Sequence, residues 1–156
     1  MNNTLNVLYN IVLSLWIGGI AIFTFLITPV IFRFFDRDMA GKIVGKLFPG
    51  YFLYLLILAF LALVLILAGR HVIASSAFTL SLAFIVIALI INIFVAFKLH
   101  PDIKQIKQEI HSFERLAPDA PLRKRFGTLH AVSAALNVLL LADGVTLLIM
   151  NSLIKK

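Results

Sequence analysis

The sequence predicts an all-α integral membrane protein, a four-helix bundle with short interfacial amphipathic helices on the cytoplasmic side. Three observations lead there. Hydrophobic residues make up 62% of the 156 and charged ones only 13%. The charges are bunched, leaving Met1–Phe32, Leu47–Gly69 and His71–Phe97 uncharged and Phe126–Ile154 with Asp143 alone. A hydrocarbon core about 30 Å thick needs roughly 20 apolar residues at about 1.5 Å rise each, so every one of these runs is long enough to cross it. A soluble globular domain is excluded, and the chain reads as one transmembrane domain, 1–156, with spans at about 5–35, 51–69, 72–98 and 126–152.

The first span, helical to Phe35, would be roughly 45 Å long and must tilt, kink or protrude. Pro29 offers the kink, and Thr28 can satisfy part of the freed backbone. Its apolar stretch is longer than a signal-peptide core and lacks a basic leader, so it is expected to be a retained helix. Asp36–Phe48 reads as a separate interfacial helix, with Met39, Ile43, Leu47 and Phe48 alternating with Lys42 and Lys46, ended by Pro49-Gly50. The second span starts at Tyr51 and closes at Gly69-Arg70 in a tight hairpin, and the third follows from Val72. After Lys98–His100 and Pro101, the pattern Ile103, Ile106, Ile110, Phe113 marks an amphipathic helix, with His111 on its solvated surface. Leu116–Leu122, with Pro118 and Pro121, is the one clear loop, and the fourth span follows the basic cluster Arg123-Lys124-Arg125.

Charge placement orients the bundle. Of the 14 Lys and Arg, eleven lie in Arg33–Lys46 and Lys98–Arg125, against Arg70, Lys155 and Lys156 on the other side. The positive-inside rule puts the basic connections in the cytoplasm and both termini outside, in a multi-pass protein of the bacterial inner membrane. A net charge of +7 placed between spans points to the lipid bilayer and its anionic lipid headgroups as partners and to no nucleic acid, with a homo-oligomer left open. The chain has no cysteine, which excludes disulfides, thiolate nucleophiles and iron–sulfur clusters.

Polar residues inside spans should face the bundle interior, where partners exist. At about 100° per residue, His130, Ser133 and Asn137 share one stripe of the fourth span, extended by Gly144. Asn92 lies about two turns before Lys98 and His100 in the third. Interhelical hydrogen bonding explains such a stripe, and so does a cofactor or metal held by His130, with His100 as the second ligand. Asp143 lies roughly 25 Å along the fourth helix from Phe126, at the height of Arg70 and His71. It is expected to pair with them structurally or to form half of an ion path with His130. Gly18-Gly19 and the Gly41–Gly45 pair permit close helix approach.

Taken in order, Trp16-Ile17-Gly18-Gly19, Pro29-Val30-Ile31-Phe32, Leu47-Phe48-Pro49 with Tyr51-Phe52, Pro101-Asp102-Ile103, and Arg125-Phe126 with Leu129-His130, Ser133 and Leu136-Asn137 form a combined pattern over essentially the whole chain. With it the sequence resembles the transmembrane protein 205-like family, known in bacteria as the domain of unknown function 4149. The resemblance implies a small four-helix membrane protein. More distantly the family is similar to copper-resistance D membrane proteins and membrane-type protoporphyrinogen oxidases, which implies copper handling or haem. The first span, where the haem-associated relatives place a histidine, has none here, and only Met1, Met39 and Met150 offer thioethers.

Three functions fit these residues. One is a bundle holding haem or a metal ion through His130, with His100, Ser133, Asn137 and Asn92 around it. Another is a cation or copper transporter using Asp143, Asn137 and His130. The third, which composition favours, is a membrane scaffold or partner subunit that meets lipid or protein through Ile103–Phe113 and the basic loops. No nucleophile–base pair or acid pair stands at catalytic spacing, so no catalytic residue is assigned and an enzyme is the least supported reading.

Overall fold

The computed structural model describes residues 3–71, 75–110 and 112–153. The expected start of the third span at Val72, His111 and the two C-terminal lysines lie outside the described residues. Four helices long and apolar enough to cross a membrane make up the fold: α1 (Asn3–Phe34), α2 (Arg37–Ala68), α3 (Ser76–Glu109) and α4 (Pro121–Leu153). They form an antiparallel ring in which α1 and α3 each pack against both α2 and α4, so that α2 and α4 face each other across the diagonal.

Two helices carry the same local irregularity. In α1 the turn Phe23–Ile27 is π-helical, with Thr28 N–H bonded to Phe23 O; in α3 it is Val95–Leu99, with His100 N–H bonded to Val95 O. Each π turn ends two residues before a proline, Pro29 or Pro101. Proline donates no hydrogen bond and crowds the preceding turn, and widening that turn by one residue relieves both problems without breaking the helix. Pro29 therefore acts through a π turn that leaves α1 continuous to Phe34.

The two amphipathic segments are not separate helices. Asp36 caps α2, its Oδ1 accepting Met39 N–H at 2.7 Å, and the helix then runs through Pro49-Gly50 without a break. One missing hydrogen bond is outweighed by packing around the proline, where Phe48 stacks on Phe52 (centroids 5.3 Å apart) and Tyr51 on Phe23 (4.2 Å). Likewise α3 continues past Pro101 to Glu109, and Ile106 and Ile110 are buried in the bundle, so the apolar side of this segment is used internally. Phe113 falls beyond the helix and packs edge-on against Phe126 (4.7 Å). At the start of α4, Pro121 stands in the first turn, and Arg123–Arg125 lie inside the helix rather than before it.

Leu13, Trp16, Ile20, Leu55, Ile85 and Leu147 form the fully buried centre. Small residues let the helices approach. Ala59, Ala62 and Ala88 are completely buried, and Gly19 lies directly against the Tyr54 ring. The outer surface is apolar, with Phe25, Ile90 and Phe97 more than 60% exposed, as lipid requires and water would penalise.

Candidate functional site

An inner cavity of about 230 Å³ opens between the helices about midway along the bundle. The π turn of α1 turns Thr24 and Thr28 toward it, α2 contributes Tyr51, α3 Asn92, and α4 His130, Ser133 and Asn137. Asn137 ties three helices together. Tyr51 OH donates to Asn137 Oδ1 (2.6 Å), and Asn137 Nδ2 donates to Thr24 Oγ1 (2.6 Å). Asn92 is 1% exposed; its Nδ2 donates to Ala88 O one turn back in its own helix (2.9 Å), and its Oδ1 is buried without a hydrogen-bond partner. His130 stands at the rim, its ring exposed and stacked on Phe126 (5.9 Å), while Ser133 is half-buried.

At the basic end of the bundle lies a larger crevice of about 910 Å³ between the first turns of α2 and the last turns of α3. Lys42, Lys46, Lys104 and Lys107 line it, above a wall that includes Val44, Ile103 and Phe113. Lys107 lies over Gly41, where a Cβ would come within 2.6 Å of its Nζ. Thr28, Phe48 and His130 border both the crevice and the inner cavity, so the two spaces adjoin. His100 lines the crevice but not the inner cavity, its ring held by Phe48 (5.1 Å) and Phe52 (5.2 Å).

The crevice is closed on one side by the connection between α3 and α4, fixed at two points. Asp38 accepts Ser112 Oγ–H (2.8 Å) and Phe113 N–H (3.0 Å), and Arg123 donates to Phe113 O (3.2 Å) and Leu116 O (2.7 Å). Asp38 sits in the charged turn 37–42, ahead of the apolar stretch of α2. There the Phe113 amide and then the Ser112 hydroxyl hold its carboxyl below the usual carboxylate range. Among the described residues no group of three or more His, Asp or Glu side chains gathers in a metal-binding arrangement.

The opposite end corrects one expectation. Asp143 forms no ion pair with Arg70 or His71; both are exposed, and the one salt bridge among the described residues joins Lys98 and Asp102 (3.2 Å). Arg70 is exposed just beyond the end of α2, whereas Asp143 is partly buried on α4. Asp143 Oδ2 is buried without a hydrogen-bond partner, as are Tyr9 OH and Trp16 Nε1 on α1. Asp143 lines neither the inner cavity nor the crevice. Next to it, Gly144 packs on Ile17, and nearer the end Asn151 Nδ2 donates to Asn6 Oδ1 (2.9 Å) and Asn10 Oδ1 (2.7 Å).

The structure places Asn92, His130, Ser133 and Asn137 along the lining of one cavity, whereas His100, expected beside His130, lines only the adjoining crevice, which His130 also borders. Sequence reasoning does not place Tyr51, Thr24 or Thr28 in the site, although Thr24 is a polar residue within the first span, Thr28 precedes Pro29 and Tyr51 follows Pro49-Gly50. It also misses Asp38 and Arg123, hidden among surface charges.

Residues 11–112 match the family model of the domain of unknown function DUF4149. The match takes in nearly all of α1 through α3 and stops short of the α4 wall of the cavity. No curated protein and no solved structure matches the chain.

Proposed function

The chain belongs to the DUF4149 family, and from that premise we propose that it is a membrane-embedded binding protein that receives an anionic amphiphile in the lysine-lined crevice. The observation that carries this reading is the combination of four lysines with an apolar wall in a space of about 910 Å³. Among the described residues lining the crevice Asp38 is the only acid, so a single carboxylate faces four ammonium groups and the lining keeps a net positive charge. An anionic head answers that charge and an acyl chain answers the wall. The excess of Lys and Arg at this end supports a cytoplasmic position, with both termini outside and the crevice beside the anionic leaflet.

Native mass spectrometry of protein released from mixed micelles tests the reading. Phosphatidylglycerol should be retained in preference to phosphatidylcholine. A lysine near a lipid headgroup contributes about 1 kcal/mol, or about fivefold in affinity, so the double variant Lys42→Gln/Lys104→Gln should lose about 25-fold. Equal retention of the two lipids, or an unchanged preference in the variant, overturns it.

A second reading rests on the two imidazoles, His100 and His130, that border this crevice. Haem or copper is what the wider resemblance to copper-resistance D proteins implies. Two imidazoles fall short of the three or four protein ligands of a closed metal site but are a donor set that haem iron accepts. Visible absorption and elemental analysis of the purified protein decide this. If a cofactor is carried, His130→Ala should remove it and His71→Ala should not.

A further inference from the structure

The inner cavity has a chemistry distinct from that of the crevice. Among the described residues its lining holds no Asp, Glu, Lys or Arg, so a buried charge would find no counter-ion there. It does hold an unmet acceptor: Asn92, 1% exposed, presents an Oδ1 that no protein donor reaches. A buried carbonyl left unpaired is costly, and an incoming O–H or N–H removes that cost. The amide cannot turn its Oδ1 toward a donor elsewhere without breaking the bond that its Nδ2 donates to Ala88 O. Around it the walls are flat and aromatic, built from the Phe23–Tyr51 stack and the near-parallel Phe48 and Phe52 rings, 7° apart in plane. The Ser133 and Thr28 hydroxyls add groups that donate or accept. The volume is that of several water molecules, each occupying about 30 Å³ in the liquid.

We propose that this cavity binds the uncharged ring head of a membrane-soluble phenol or quinol, whose hydroxyl donates to Asn92 Oδ1 between the aromatic walls. Charge-neutral lining selects a neutral head, the orphan acceptor selects a donor, and the stacked rings select a flat partner. Entry is from the crevice side, past Thr28, Phe48 and His130, which border both spaces.

The test uses 2-naphthol and its methyl ether, in which a methyl group replaces the hydroxyl proton and removes the donor, with the full chain in phosphatidylcholine nanodiscs and empty nanodiscs as the partition blank that accounts for the added apolar group. Saturable one-to-one binding of 2-naphthol, about tenfold tighter than the ether, is expected, since one hydrogen bond to a buried acceptor is lost with the methyl group. Asn92→Leu should reduce naphthol binding to the level of the ether. Lys42→Gln/Lys104→Gln should leave naphthol binding unchanged, which separates this site from the amphiphile crevice. Equal affinity for the two probes, binding that does not saturate, or undiminished discrimination in Asn92→Leu overturns the proposal. Should that variant not fold, the comparison of the two probes on the unaltered protein still decides.

Discussion

Among the described residues Asn137 is the one side chain that joins α1, α2 and α4 through hydrogen bonds, and its loss has a calculable signature. Asn137→Leu removes both the bond from Tyr51 OH and the bond to Thr24 Oγ1. Interhelical hydrogen bonds in membrane bundles contribute about 0.6 kcal/mol on average and up to about 1.7, so the expected loss is about 1–3 kcal/mol. Tyr51→Phe removes only the first bond and should cost about 0.5–1.5 kcal/mol, with the ring stack on Phe23 kept. In the double variant the shared bond is counted once, so its cost should fall below the summed single costs by about 0.5–1.5 kcal/mol. Unfolding by dodecyl sulfate in mixed micelles, followed by circular dichroism, measures all four proteins. Additivity within about 0.3 kcal/mol would refute the bridge, whatever the single variants cost.

Gly18 and Gly19 should separate cleanly: nothing lies within 4 Å of a Cβ on Gly18, whereas one on Gly19 strikes the Tyr54 ring, whose OH is bonded to Leu15 O. Gly18→Ala should leave the same unfolding midpoint or raise it by up to about 1 kcal/mol, and Gly19→Ala should cost about 1–3 kcal/mol. Asp143→Asn should be neutral or stabilising, because the carboxylate is partly buried with no cation paired to it, and Arg70→Ala should have no effect; a loss above about 1 kcal/mol in both would restore the ion pair. The Asp38 carboxyl titrates lower in the folded protein than in the unfolded chain, so its contribution is complete above about pH 4 and disappears as pH falls through the folded value. Thermal melts from pH 6 downward should therefore show an acid limb that Asp38→Asn lacks. Cysteines placed singly at Asn3 and Gln108 test the orientation: an impermeant thiol reagent on intact cells should label the first and not the second.

The four spans were legible from charge spacing alone, because lipid tolerates few charges and a bilayer fixes the length of what crosses it. The stripe His130, Ser133, Asn137 was legible for a related reason: helical period places these residues together, and their polarity keeps at least part of the stripe at an interior cavity. Helix ends were not. Pro49-Gly50 and Pro101 look like stops, but a proline costs a helix one hydrogen bond and a steric clash, and whether the helix survives depends on rings such as Phe23 and Phe52 that arrive from elsewhere in the chain or the next turn. Partners were legible least of all. Asp143 stands at the height of Arg70 in any linear count, but in the fold Arg70 is exposed beyond the end of α2, Asp143 is partly buried on α4, and no ion pair joins them. Asn137 shows the converse: one amide among several in the sequence, it becomes the link between Tyr51 and Thr24 only because three helices converge there. Composition and period act along a single helix, whereas contacts across the bundle depend on how the four helices are arranged around their common core, and that arrangement left one cavity lined by neutral side chains and its neighbour lined by lysines.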